Sequence, residues 1–303
     1  MPASDIALPL RVGTRTVWTV RRRLIRRPVR LDEALGASAP TLPPLPPAEH
    51  GYLVTGLPEA QAAALASSAA SLATFVRQTY PRSYARLDLD FAEYLAGFSG
   101  KSRSTLKRKQ RKLAERSGGT LDLRTYRSEA EMETFHGAAR AVSALTYQER
   151  RLGAGLPDGA EAVAAMRRLA RRDQARGWLL FVDGRPISYL YAPAEGDTLI
   201  YAHLGYDPDH AVFSPGTVLQ LEAMRQLMDE RRFRLFDFTE GDGQHKRQFA
   251  TDSLACADLL MLRRTLPNLA VGHALSAFDR AVGLAKRAVT AAGGESLSRR
   301  LRR

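Results

Sequence analysis

Residues 178–206 read WLLFVDGRPISYLYAPAEGDTLIYAHLGY. The turns inside this run set the type of sheet. Residues 178–182 (WLLFV) stop at Asp183-Gly184, residues 187–192 (ISYLYA) stop before Glu195-Gly196-Asp197, and residues 198–206 (TLIYAHLGY) follow. Acid-glycine turns between apolar runs suit hairpins, so the three segments predict an antiparallel meander. Next, Ser214-Pro215-Gly216-Thr217 opens a helix with Val218, Leu221, Met224, Leu227 and Met228 on its inner side, because proline fits a first helical turn. Residues 234–238 (RLFDF) form another strand. A strand reached through a helical crossover pairs parallel by default. The fold class read here is α/β (α+β), with a mixed, mainly antiparallel sheet flanked by helices.

Upstream, residues 120–126 (TLDLRTY) alternate as a strand, and Ser128 with Glu131 makes a capping box for a helix. A second helix is expected over 163–176. Residues 101–116 form a basic helix stopped by Gly118-Gly119. Before it come a short helix at 91–98 and a strand at 84–89. Pro58 is expected to open an alanine-rich helix of about five turns carrying Leu65, Leu72, Phe75 and Val76, preceded by a strand at 52–55. Residues 40–47 (PTLPPLPP) read as a linker or surface strap. The expected organisation is a basic, proline-rich arm at 1–50, a first lobe at 51–119, a second domain at 120–265 and a basic amphipathic tail at 266–303.

The chain of 303 residues carries a net charge of +13, with 45 Lys and Arg against 32 Asp and Glu. That excess points to an anionic partner: nucleic acid, an anionic membrane surface or a phosphorylated ligand. It is clustered at 21–30, at 101–116 and in the last six residues; solvated faces and tails would have the same composition. The basic helix lacks the aromatics that stack bases, which ranks nucleic acid below the other two. The lone Cys256 cannot close an internal disulfide, and no Cys/His spacing suggests zinc or another metal. The apolar stretch 6–10 is short and contains Pro9, unlike a signal peptide. A cytoplasmic protein is expected, with peripheral contact to an inner membrane through the basic runs.

Five motifs together resemble one bacterial branch of the GNAT acyltransferases, the cellulose-biosynthesis (CelD-like) acetyltransferases. They are Phe98-Ser99-Gly100-Lys101-Ser102-Arg103, Tyr206-Asp207-Pro208, Ser214-Pro215-Gly216, Phe236-Asp237-Phe238 and Gly241-Asp242-(x)3-Lys246-(x)2-Phe249. The branch is similar to the FemABX peptidyltransferases, which end their core in a comparable Phe-Lys-x-x-Phe element. Over about 52–264 the resemblance implies a GNAT domain preceded by a partial, GNAT-like N-terminal lobe. It also implies acetyl-CoA or a longer acyl-CoA as co-substrate, and a small-molecule or glycan acceptor tied to polysaccharide biosynthesis. FemABX-like transfer from aminoacyl-tRNA is the rival. A non-catalytic module binding lipid or nucleic acid is the other alternative. Two departures stand out: residues 210–216 read HAVFSPG where GNAT proteins usually have an Arg/Gly-rich pyrophosphate loop, and His245 stands where relatives carry an aromatic residue.

In such a fold two adjacent parallel strands, here 198–206 and 234–238, splay into a wedge for the pantetheine arm. Ser214, Pro215, Gly216 and Thr217 would offer helix N–H groups to a diphosphate, with Leu204 and Tyr206 leading into them. Ser214 could equally be an ordinary cap. Nearby arginines would supply most of the affinity. Tyr201, His203 and Asp237 would face the thioester, with Tyr201, His203 and Gly205 alternating on one strand face. An amine acceptor must first lose a proton, at a cost of roughly 4–5 kcal/mol at pH 7. Candidate bases are Asp237, Glu240, Asp242 and His203. Asp237 could instead pair an arginine, His203 be structural, and Glu240 and Asp242 line a solvated turn. Lys246 could stabilise an oxyanion, hold an acceptor phosphate or stand exposed.

Overall fold

In a computed structural model of the chain, the residues described are 4–12, 15–146, 149, 155–241 and 243–291, with side chains to 285. They fall into two compact units, Met1–Pro81 with Leu254–Arg303, and Arg82–Ser253. These boundaries differ from the arm, lobe, domain and tail division set out above.

In the first unit, β1 (Ser4–Val12) and β2 (Arg15–Pro28) form an antiparallel hairpin, where a basic arm was expected. The reason is period-two burial: Ile6, Leu8 and Leu24 are buried with Leu260, Leu262 and Leu275, while most of the arginines point outward. Pro9 is tolerated because β1 is an edge strand. Strand β2 runs parallel to β3 (Gly51–Pro58), which pairs antiparallel with β11 (Asp252–Arg263). The prolines at 43–46 strap this sheet: Tyr52 Oη donates to the Pro43 carbonyl, and Arg263 donates to the Leu45 and Pro46 carbonyls at 3.1 and 3.0 Å. The expected five-turn helix is shorter. It ends as α2 (Glu59–Ser68), and Leu72 onward is β4 (Leu72–Arg86). Alanine propensity carries the helix to Ser68, after which burial of Leu72, Ala73 and Phe75 in a sheet overrides it. Helix α1 (Leu31–Ala34) precedes the strap, and α9 (Leu266–Ala291) follows β11.

The second unit begins with the end of β4, followed by α3 (Phe91–Ala96), α4 (Gly100–Arg116), β5 (Asp122–Tyr126), α5 (Glu129–Ser143) and α6 (Ala160–Ala170). The capping box at Ser128 is present: Glu131 N donates to Ser128 Oγ at 3.3 Å, and Ser128 N donates to the Glu131 carboxylate at 2.7 Å. Helix α6 stops earlier than the expected 176, because the chain turns at Asp173 (φ 54°) and Ala175 already belongs to β6 (Ala175–Val182). The meander continues through β7 (Arg185–Glu195). The single strand expected at 198–206 is two: β8 (Thr198–Ile200) and β9 (His203–Tyr206). A short 3₁₀ turn (Pro208–Phe213) leads to α7 (Pro215–Glu230), β10 (Leu235–Glu240) and α8 (Gln244–Phe249). The strand order is β4-β10-β8-β7-β6-β5, with β9 also on β7; β10 and β8 are parallel and the other pairs antiparallel. Strand β6 is buried along its whole length. Trp178 enters the core under α4 and α7, and Leu179 the core under α5 and α6. Among the described residues no helix is long and apolar enough to cross a membrane.

Candidate active site

The strands part where the wedge was expected, and the parting has a local cause. Leu235, Phe236 and Asp237 of β10 pair with Thr198, Leu199 and Ile200 of β8, and Tyr201 N donates to the Asp237 carbonyl at 2.8 Å. Beyond that point β9 pairs with β7, and β10 reaches Arg82 through Glu240. Between Leu199 and His203 lie four steps, opposite three steps from Ala194 to Tyr191 on β7. This extra residue is a β-bulge, and it bends the strand away from β10. Strand β10 breaks its own register between Asp237 and Glu240, with β-branched Thr239 at φ 61°. A left-handed Thr is strained, and its neighbours must hold it there.

Those neighbours are candidate residues. Asp237 is 2% exposed. Its Oδ2 accepts from Arg82 Nη2 at 2.5 Å and Nε at 3.1 Å, and its Oδ1 accepts from Thr239 N at 2.7 Å. It therefore takes the arginine-pairing role and fixes the Thr239 turn. Lys246 Nζ, half-buried, donates to the Glu240 carbonyl at 2.5 Å and to Thr239 Oγ1 at 3.4 Å. Burial lowers its pKa below the usual lysine value, against the opposing charges of Glu240 and Asp237. Glu240 is exposed at the strand end, and Asp242 lies outside the described residues.

The bulge also corrects the expected alignment of Tyr201 with His203 and Gly205. Tyr201 packs with its ring 5.8 Å from Phe238 and 5.7 Å from His245, and burial raises its pKa. His203 lies beside Tyr191, Met166 and Pro157, in the shelter of α6, and burial lowers its pKa. Tyr201 and His203 thus do not share a face.

At the other end of the wedge, Ser214 sits in the left-handed region (φ 54°) and makes no side-chain cap, so it is not an ordinary N-cap. Pro215 and Gly216 are buried. A Cβ on Gly216 would come within 3.0 Å of Leu204 and 3.4 Å of Tyr206, so this glycine lets α7 close onto β9. The cations near this helix start are lysines of α4, where arginines were expected: Lys109 Nζ is 3.4 Å from Thr217 Oγ1, and Lys112 Nζ lies 5.2 Å from the Phe213 ring centre. Loss of water, then Arg108, lower the Lys109 pKa.

Sequence reasoning missed Arg82, Thr239 and Gln220. Gln220 is 3% exposed, and neither its Nε2 nor its Oε1 has a hydrogen-bond partner. At 3.6 residues per turn it lies about 40° from Gly216, which faces β9, on the side away from Gln226, about 80° the other way. Gln226 meets Trp178 of β6 at 2.8 Å. Gln220 is thus on the β10 side of β9, and helical side chains lean toward the N-terminal turn. Helical geometry thus puts its carboxamide on the wedge side of α7. The signal was a lone Gln on the inner stripe of VLQLEAM. Among the described residues no group of His, Cys, Asp and Glu could hold a metal.

Residues 100–247 match the family model described as acetyltransferase (GNAT) domain. Among solved structures, the chain is similar to the C-terminal domain of a protein described as a lysylphosphatidylglycerol synthetase from Agrobacterium fabrum, at 12% identity and TM-score 0.50, covering 74% of this chain and 71% of that one. It is also similar to FemX, at 11% identity and TM-score 0.50, covering 70% and 72%. At these identities the likeness is one of fold, a mixed α/β GNAT-like sheet flanked by helices. A comparison with curated proteins finds no match.

Proposed function

We propose that this chain, which carries a GNAT acyltransferase domain, moves an acyl group from acyl-coenzyme A to an amine or hydroxyl acceptor in the wedge between β9 and β10. The observation that carries the reading is the bulge-opened gap with an unpartnered, buried carboxamide above it. A buried polar side chain without a partner costs about 1–3 kcal/mol, and the amides of a pantetheine arm would satisfy Gln220. Strand β9 offers backbone groups on its open side. Lys109 and Lys112 stand where a diphosphate would meet the start of α7. The residues present therefore fit the coenzyme, although the loop expected to hold it is absent.

When bound, the coenzyme supplies a thioester carbonyl. The chain does the rest. Asp237 and Arg82 hold Thr239 in its strained turn, which places the Glu240 carbonyl and Lys246 at the wedge. Lys246, as the ammonium, offsets negative charge developing on a carbonyl oxygen. Glu240, exposed at the strand end, takes the acceptor proton; Asp242 is its rival for that step. Tyr201 and His245 wall the reacting centre. Asp237 acts through Thr239 and is a positioning residue. The CelD-like branch, with a sugar or polysaccharide precursor as acceptor and a cytoplasmic setting, belongs to this proposal through the motifs alone.

Calorimetric titration with acetyl-CoA tests the reading. Saturable binding is expected, weakened by Lys109→Ala and Lys112→Ala. No heat at millimolar coenzyme, with heat from aminoacyl-tRNA, would replace the donor by the rival one.

A further inference from the structure

A cleft on the outer side of α8 adjoins the wedge and shares Lys109 with it. Its volume is about 720 Å³, within the usual range for small-molecule sites. One wall is α4, which presents Lys101, Thr105 and Lys109 at helical spacing. The other is α8, whose outward residues Gln244, Arg247 and Gln248 line the cleft while Lys246 turns to Thr239 and Glu240. The floor is aromatic and fixed. Tyr94 Oη donates to the Phe249 carbonyl at 2.7 Å, and the Phe98 ring stands edge-on to Tyr94 at 5.1 Å.

The charge in the cleft is one-sided. Among the described residues Lys101, Lys109 and Arg247 line it beside one carboxylate, Glu93, and that carboxylate already accepts from Asp90 N at 3.0 Å. Among the described residues no carboxylate forms an ion pair with Lys101 or Lys109. We infer that the cleft binds a small phosphate ester, with the phosphate on Lys101 and Arg247 and a ring on Phe98, and that this ester is the acyl acceptor. Its nucleophile reaches Lys246 across the short α8. The acceptor role rests on the reading of the wedge; the binding of phosphate does not. The same headgroup chemistry could come from a soluble sugar phosphate or from a phospholipid.

Calorimetry on the full chain separates these. Glucose 6-phosphate, inorganic phosphate, phosphatidylglycerol vesicles and coenzyme A are titrated into the parent, Lys101→Ala and Arg247→Ala, both positions being exposed. The expected result is that glucose 6-phosphate binds more tightly than phosphate and loses about tenfold in each variant, with coenzyme A affinity unchanged. Binding of vesicles alone, lost in both variants, supports the cleft and makes the source a lipid. Binding of neither, with coenzyme A still bound, overturns the inference and leaves the wedge intact. Equal loss of coenzyme A affinity in the two variants also overturns it, since the cleft would then belong to the donor.

An independent observation concerns the β1–β2 hairpin of the first unit. Its base is buried, but Val12, Val17 and Trp18 are 52%, 62% and 68% exposed. Arg11, Arg15, Arg21 and Arg22 lie on the same two strands, with Asp5 their one acid. Tryptophan beside arginine favours the interface of an anionic bilayer. The geometry points to this hairpin end docking on an anionic membrane. Trp178, the other tryptophan, is 1% exposed, so a change in emission on vesicle binding reports Trp18. A blue shift is expected with phosphatidylglycerol vesicles, reversed by salt and absent in Trp18→Phe. A shift of equal size with phosphatidylcholine, no shift with either, or a shift that follows protein concentration without vesicles overturns it.

Discussion

Replacing Gln220 by Met should raise stability and lower coenzyme affinity together. The side chain is 3% exposed with both polar atoms unpaired, and methionine is unbranched and close in volume. Removing the unpaired carboxamide relieves about 1–2 kcal/mol in the free protein. For a unit of this size that is a rise of about 3–6 °C in Tm. In the complex the same change deletes one hydrogen bond, or about tenfold in affinity. Thermal unfolding with and without coenzyme A gives both numbers. The parent should gain more from saturating ligand than the variant, so the two melting curves converge as coenzyme is added. A variant that melts lower than the parent and binds coenzyme equally well would refute the reasoning, because Gln220 would then have a partner within the protein.

Other perturbations follow from the same geometry. Asp237→Asn removes the carboxylate that pairs with the half-buried Arg82 and should cost about 3–5 kcal/mol, read by urea unfolding; an unchanged midpoint contradicts its role in holding Thr239. Lys246→Ala should lower kcat by about 10²–10³ with little loss of stability, and Lys246→Arg should retain more activity. The pH profile has a definite sign. The Lys246 ammonium is present below its depressed pKa and lost as pH rises through it, so activity should fall on an alkaline limb below the ordinary lysine value of 10.5. That limb should be missing in Lys246→Arg. The same depression means the unfolded chain holds this proton more tightly, so stability gains as pH rises through the window between the two pKa values. Lys109→Ala with Lys112→Ala should flatten the salt dependence of coenzyme binding, measured by titration at two ionic strengths.

The meander was readable because Asp183-Gly184 and Gly196 mark its turns and residues 178–182 of β6 form an apolar run. The helix at Pro215 was readable from its proline and inner stripe. The bulge was not, since an extra residue between Leu199 and His203 leaves no mark on apolar alternation and shows only against β7. That one residue parts Tyr201 from His203. The Asp237–Arg82 pair spans 155 positions, a separation that local pattern does not report. The N-terminal hairpin was hidden by its arginines, which read as a solvated arm although Leu24 and Ile25 among them are buried. The alanine-rich start of α2 similarly hid the strand that follows it, because its helix propensity outlasts the helix.

Hydrogen–deuterium exchange with and without saturating acetyl-CoA tests the wedge most directly. The account predicts slower exchange at 203–206 and in the first turn of α7, with the β1–β2 hairpin unchanged. Equal exchange at 203–206 in the two states, under conditions where calorimetry shows the coenzyme bound, would contradict it.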